Sequence, residues 1–331
     1  MGKKKIAILL VFLINIMVLS SCKTAVGTAE DNAAPVTQDE VEIKEAHIFG
    51  FSGITMDNPY YITLEASLRE AIEGAGSTLI SKDPGLDSAI QITQIEEMIA
   101  EGIEGIFLSP VDWQEIKPAL DALKEAGVKI INVDTHVKDV EYVDAYIGSN
   151  NKNAGMLCAA DLIERHPEGG KIVILEGMNV NSIIERITGF EETLATASNG
   201  FTIAVRKDVR GDLNLALEAA TEVFAQEENI IAVMCGNDQS ALGALIAANT
   251  AGLTDLDIYG VDGSPDLKKE LAKKETLIAG TAGQSPISMG KEAAQIGLAI
   301  LNGEKFEVET YTEVFFINQN NLDMYGTDGW Q

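Results

Sequence analysis

One pattern constrains this chain more than any other: from Ala46 onward, short apolar runs alternate with longer segments of helical period. The apolar runs read as strands at Ala46–Phe51, Thr78–Ser81, Gly105–Leu108, Val128–Val133, Ala145–Gly148, Lys171–Leu175, Thr202–Val205, Ile230–Cys235, Asp257–Val261, Leu277–Gly280 and Glu313–Ile317. Helices are expected to begin near Pro59, Asp87, Trp113, Asn151, Ser182, Asp212, Asp238, Ser264 and Ile287. Strands that alternate with helices make mostly parallel sheets covered on both faces.

The pattern occurs twice. Ile48–Phe51, a polar loop and a helix ending at Gly74-Ala75-Gly76 match Ile172–Leu175, a polar loop and a helix ending at Ser198-Asn199-Gly200, each 124 residues later. Further on, Asn132-Val133-Asp134 matches Gly260-Val261-Asp262, 128 residues later. A nearly constant offset over a hundred residues argues for two copies of one α/β unit. The expected fold is α/β, two similar Rossmann-like domains, each a mostly parallel sheet with helices on both faces. Two such domains side by side enclose a cleft, a favoured place for a small ligand.

What precedes this region has another character. Lys3-Lys4-Lys5 followed by the apolar run Ile6–Leu19 has the build of a signal peptide over residues 1–21, too short to span a bilayer comfortably. Leu19-Ser20-Ser21-Cys22 resembles the bacterial lipobox, which implies cleavage before Cys22, a lipid on that cysteine, and a membrane contact through this anchor only. Residues 22–45 are polar, acidic and without period, a flexible tether. The formal charge is −27, and it reaches −30 once the three lysines of residues 1–21 are removed. A surface this acidic repels phosphate backbones, so nucleic-acid partners are excluded.

Catalytic templates are missing: no Gly-x-Ser-x-Gly elbow, no Walker loop, no Gly-x-Gly-x-x-Gly after a strand, no His-Glu-x-x-His. His47, His136 and His166 have no metal-ligand spacing with the cysteines, so neither metal nor cofactor is expected. Cys158 and Cys235 lie in apolar patterns and read as free, buried thiols.

What the strand ends do carry is a mixed set of polar and aromatic groups: Asn58, Tyr60 and Tyr61, Asp134, Arg186, Asn237-Asp238, Asp262 and Gln284, with Trp113 nearby. A sugar or polyol needs this mixture. Its hydroxyls both donate and accept, so carboxylates, amides and a guanidinium suit them, and its C–H faces lie on aromatic rings. Structural roles compete at each position. Asn58 suits a helix cap before Pro59. Tyr61 lies on the helix stripe with Leu64 and Leu68, which makes Tyr60 the better ligand platform. Asp238 is expected to cap the next helix, leaving Asn237 to face a ligand. Arg186 has Glu185 and Glu191 as local partners, Asp262-Gly263 suits a turn, and Trp113 suits an interior anchor.

Together these residues carry a resemblance. Asn58-Pro59-Tyr60-Tyr61, Ile131-Asn132-Val133-Asp134, Glu185-Arg186-Ile187-Thr188-Gly189-Phe190, Gly236-Asn237-Asp238-Gln239-Ser240-Ala241-Leu242-Gly243-Ala244, Gly260-Val261-Asp262-Gly263-Ser264-Pro265 and Gln284 are similar to periplasmic sugar-binding proteins of the ribose/galactose type. These are the substrate-binding components of sugar ABC transporters. The resemblance implies a three-strand hinge with crossovers near Gly148–Asn150, Gly283–Ser285 and Thr310–Glu313. It implies lobes of 46–149 plus 285–312 and of 150–284 plus 313–331. Carried over by position, Tyr60 and Tyr61 stack on the sugar, while Asn58, Asp134, Arg186, Asn237, Asp262 and Gln284 hydrogen-bond to it, with Trp113 beside the site.

There are departures. Thr135 and His136 follow Asp134, where the family often has Arg; Val209 stands near a frequent third aromatic; Ser109 replaces an asparagine. The implied protein is a monomeric, extracytoplasmic, lipid-anchored sugar- or polyol-binding protein that closes on its hinge and delivers to an ABC permease. Two rivals use the same residues: a sensor component serving a chemoreceptor or sensor kinase, with ligands extending to autoinducer-2-like furanoses, and a sugar-modifying enzyme.

Overall fold

The computed structural model describes residues 45–197 and 200–331. The expected leader, Cys22, residues 23–44 of the expected tether, and Ser198 and Asn199 of the expected helix end lie outside them. The elements run β1 (Ile48–Ser52), α1 (Pro59–Gly74), β2 (Thr78–Lys82), α2 (Ser88–Ala100), β3 (Gly105–Leu108), α3 (Lys117–Ala126), β4 (Lys129–Asp134), β5 (Ala145–Ser149), α4 (Asn151–Arg165), β6 (Gly169–Glu176), α5 (Asn181–Leu194) and β7 (Gly200–Asp208). They continue as α6 (Leu213–Gln226), β8 (Ile230–Cys235), α7 (Asp238–Ala251), β9 (Asp257–Asp262), α8 (Pro265–Leu271), β10 (Ile278–Gly283), α9 (Pro286–Leu301), β11 (Glu309–Thr312), β12 (Phe315–Ile317) and α10 (Leu322–Tyr325).

These form two six-stranded sheets, in the orders β11-β5-β4-β3-β1-β2 and β12-β10-β9-β8-β6-β7. Every pairing is parallel except that of β12 with β10. The chain passes between the sheets three times. It leaves β5 for α4, which packs on α5, β9 and β10; it returns from β10 to α9, which packs on α1, β3, β4 and β5; and it passes last from β11 to β12.

Short polar residues start the helices as the sequence suggests. Asn58 accepts from the Tyr60 amide with Pro59 at the first helical position, and Asp87 and Asp212 each accept from two amides of the helix that follows. Gly127 and Gly252 close α3 and α7 in the left-handed conformation that glycine adopts freely. Apolar side chains then fill the space between sheet and helices. Ile95, Met98, Leu120 and Leu123 of α2 and α3 pack on one face of the first sheet. Ala216, Val223, Ala244 and Ala248 of α6 and α7 do so in the second. A third cluster covers the inner faces, from Leu64 and Leu68 of α1 to Ile187 and Phe190 of α5.

α5 closes at Leu194, four residues short of the expected helix end, and β7 runs Gly200–Asp208, longer than the expected Thr202–Val205. Three further elements differ from expectation. α3 begins at Lys117, not near Trp113, because Asp112 Oδ1 takes the Gln114 and Glu115 amides into a separate turn. The Trp113 amide is meanwhile drawn to the Asn179 carbonyl at 3.0 Å. β11 was unforeseen as a strand, its half-exposed ETYT pattern being too polar to register. The last strand starts at Phe315, two residues later than the expected Glu313. Cys158 and Cys235 are buried free thiols, and burial pushes both thiol pKa values up. Among the described residues no helix is long and apolar enough to cross a membrane, and no cluster suits a metal ion.

Candidate functional site

The carboxyl ends of the strands in both sheets face one cavity between the lobes. It is lined by Asn58, Tyr60, Tyr61, Asp134, Arg186, Asn237, Asp262 and Gln284, and by Ile54, Thr55, Leu86, Val180, Ser182, Ile183, Arg210 and Gly211. Eight of the nine expected contact residues therefore converge. The ninth, Trp113, is not among the lining residues. Its backbone joins Asn179 and Lys138, and its indole Nε1 is buried with no partner among the described residues.

The two lobes present equivalent aspartates. Asp134 ends β4 opposite Gly148 of β5, and Asp262 ends β9 opposite Gly283 of β10. Both hold positive φ, 66° and 142°, a conformation few non-glycine residues adopt and one concentrated at functional sites. Asn132 shapes the first of these ends by donating to the Leu108 and Thr135 carbonyls and accepting from the Val137 amide. The Tyr61 hydroxyl donates to Asp134 Oδ2 at 2.7 Å, and Tyr146 donates to the Asp134 carbonyl at 3.0 Å.

Arg186 projects from α5 and is 3% exposed. Its Nε donates to Asn151 Oδ1 at 2.8 Å, and its Nη1 donates to the Gly236 carbonyl at 2.9 Å and approaches Asp262 Oδ1 at 3.5 Å. It pairs with neither Glu185 nor Glu191, the local partners considered from sequence; Arg206 takes Glu191 instead. Gln284 Nε2 donates to Asp262 Oδ1 at 2.7 Å, while Gln284 Oε1 is buried without a partner among the described residues. Both bonds to Asp262 fall on Oδ1 and neither on Oδ2. Burial pushes the Asp262 carboxyl up to about 8 against the pull of Arg186. It raises Asp134 as well, opposed by Arg186 and the tyrosine bonds.

Asn237 lines the cavity as expected and also takes the helix cap expected of Asp238. Asn237, with extended backbone, caps α7 by accepting from the Ser240 amide, and its Nδ2 donates to the Gly211 carbonyl. Asp238 is fully buried and accepts from the Ser264 amide and the Thr281 hydroxyl, tying the start of α7 to β10 and to the cap of α8. The tyrosines do not divide into ligand platform and core either. Both line the cavity and both are buried, their rings edge to face at 5.4 Å, and the Tyr60 hydroxyl points to Met289 Sδ at 3.4 Å. A helix start approached by the second lobe and by α9 buries both sides of the turn.

Direct bonds join the lobes on either side of the cavity. Asn179 Nδ2 donates to the Val111 carbonyl at 2.7 Å and the Ser182 amide to Thr135 Oγ1 at 3.0 Å. Opposite them, Arg210 Nη2 donates to the Leu86 carbonyl at 2.8 Å. Sequence reasoning missed Arg210 and Ser182. Arg210 had a signal, an Arg-Gly pair two residues beyond a strand end; Ser182 acts through its backbone amide and had none. The cavity between the lobes has a volume of about 40 Å³.

A family profile for the periplasmic binding protein domain matches residues 49–305. The chain belongs to that family. Its members bind substrates and are not enzymes. A ribose import binding protein of Bacillus subtilis is 26% identical over 265 residues, covering 80% of this chain and 85% of the relative. A solved ABC transporter solute-binding protein of Mycobacterium smegmatis with bound glycerol superposes with a TM-score of 0.81 at 24% identity, over 87% of this chain and 100% of that one, a likeness of fold. The arabinose ABC transporter binding protein of Shewanella sp. ANA-3, bound to L-arabinofuranose, gives 0.76 at 25% identity over 84% and 94%.

Proposed function

We propose that this chain captures one neutral sugar or polyol of monosaccharide size between its lobes and hands it to an ABC transporter permease. The observation that carries this reading is the cavity itself. Gln284 Oε1 awaits a donor, Asp262 Oδ2 takes no bond from the protein, Arg186 supplies donors, and Tyr60 and Tyr61 supply rings. Asn58, Asp134 and Asn237 complete the hydrogen-bonding set. Lobes of 46–149 plus 285–312 and of 150–284 plus 313–331 rock about the three crossings, and the guest completes its contacts only when they close. The protein works as a monomer outside the cytoplasm, held to the membrane by a lipid on Cys22 after loss of residues 1–21. The relatives' ribose and arabinofuranose support the ligand class.

A thermal-shift screen with D-ribose, D-allose, L-arabinose, myo-inositol and glycerol tests this. A guest at a hundred times its Kd adds about 2.7 kcal/mol, an easily seen rise in Tm. Arg186→Ala and Asp262→Ala are expected to remove the rise. Silence across the panel, or a wild-type response from both variants, sinks the reading.

A further inference from the structure

The loops that follow β2 and β7 are copies of each other, 125 residues apart: Asp83-Pro84-Gly85-Leu86-Asp87 and Asp208-Val209-Arg210-Gly211-Asp212. Their hydrogen bonds correspond. The first aspartate accepts from the amide two residues on, at Gly85 in one loop and Arg210 in the other. The last aspartate donates its amide back to the carbonyl of Pro84 or Val209 and caps the next helix with Oδ1. In both loops the third and fourth residues are left-handed: Gly85 and Leu86 at φ 58° and 68°, Arg210 and Gly211 at 53° and 70°. Only one residue of each pair is glycine, so each loop holds one side-chain-bearing residue in a conformation that glycine alone adopts freely.

The copies differ where they meet. Leu86 offers its carbonyl and Arg210 takes it with Nη2 at 2.8 Å, and both residues line the cavity. Among the described residues Arg210 forms no ion pair, whereas Arg206, on β7 itself, is held by Glu176 and Glu191 of its own lobe. Val209, where the family resemblance expects an aromatic, is turned into the core at 1% exposure, and Arg210 occupies the cavity wall instead. β2 and β7 are the edge strands opposite β11 and β12, so these lips lie farthest from the crossings about which the lobes turn. Any opening separates them first and by the largest distance.

We propose that Arg210 is a latch residue. It fastens the lip 83–87 to the lip 208–212 without passing through the guest, favours the closed form, and so sets how slowly a guest leaves. The guest part rests on the sugar-capture reading; closure itself can be read with no guest present.

Closure is measured by electron–electron distance spectroscopy on ligand-free protein with spin labels at Glu96→Cys and Thr221→Cys. These are matching exposed positions on α2 and α6, in a Cys22→Ser background where Cys158 and Cys235 stay buried. Arg210→Met is expected to cut the short-distance population roughly threefold, Arg210→Lys to fall between, and Arg206→Met to match the parent. A distribution for Arg210→Met identical to the parent's overturns the latch. In stopped-flow release of D-ribose, Arg210→Met is expected to leave roughly tenfold faster, equivalent to about 1.4 kcal/mol, with association within about threefold. An unchanged release rate overturns the latch while leaving sugar capture standing. Failure of every sugar in the panel to bind overturns sugar capture, and the distance measurement then decides the latch alone.

Discussion

Arg186 reaches Asp262 with one nitrogen only: Nη1 lies 3.5 Å from Oδ1, the oxygen that Gln284 already holds at 2.7 Å. The pair is buried on both sides, so above about pH 8, where Asp262 is ionised, cutting it in half strands a charge. Arg186→Met is expected to cost about 3–5 kcal/mol in urea unfolding at pH 9, and adding Asp262→Asn to restore much of that loss. Neither variant should regain the guest-induced Tm rise. Single-variant costs that simply add would show that the two groups are not coupled.

Acidity should stabilise this protein over a defined window. The Asp262 carboxyl stands at about 8 in the fold, chiefly through burial, against about 3.9 in an unfolded chain. Between those values the folded state keeps a proton that the unfolded chain has released, so stability falls as pH rises from about 4 to about 8 and levels off above. Asp134 and Asp238 are raised by burial too and act in the same sense. The slope approaches about 1.4 kcal/mol per pH unit for one such group. Urea midpoints at pH 5 and pH 8 should fall in that order, less steeply for Asp262→Asn; a midpoint that climbs with pH contradicts this.

The position of Arg186 depends on two glycines. A Cβ at Gly155 would lie 1.8 Å from the Arg186 carbonyl oxygen, and one at Gly189 would lie 2.0 Å from the Lys152 carbonyl oxygen. Both obstacles are backbone, so α4 and α5 must separate. Gly155→Ala and Gly189→Ala should each lower stability by about 3 kcal/mol or more and weaken sugar binding with it. Calorimetry alongside the thermal-shift panel checks both; a tolerated alanine at either position refutes the close packing.

Gln284→Leu should separate binding from folding. It loses the bond to Asp262 but also removes a buried acceptor with no partner, a group that costs about 1–3 kcal/mol when left unmade. The ligand-free Tm should change little while guest affinity drops roughly tenfold. A large fall in ligand-free Tm with unaltered affinity would mean the amide serves only the fold.

Much of this architecture could be read from pattern. Apolar runs such as Ile230–Cys235 and the return of Asp134 as Asp262 revealed the duplicated α/β units, because buried parallel strands leave strong local signals. The site was visible as far as strand-end polarity goes. Local spacing cannot tell which of two adjacent polar residues caps the helix, so the cap expected of Asp238 falls to Asn237, Asp238 being held by Ser264 and by Thr281 of β10. Trp113 was misplaced for a similar reason, since Asn179 of the other lobe draws its backbone away from the helix. Ser182 contributes an amide, and every residue type but proline has one.

Asp134 and Asp262 stand in backbone conformations where glycine would rest more comfortably. A population of variants selected for heat resistance alone would therefore drift toward glycine at both positions, and the most durable survivors would be empty-handed. Any breeding scheme for a sturdier form of this molecule has to reward retention of cargo in the same round.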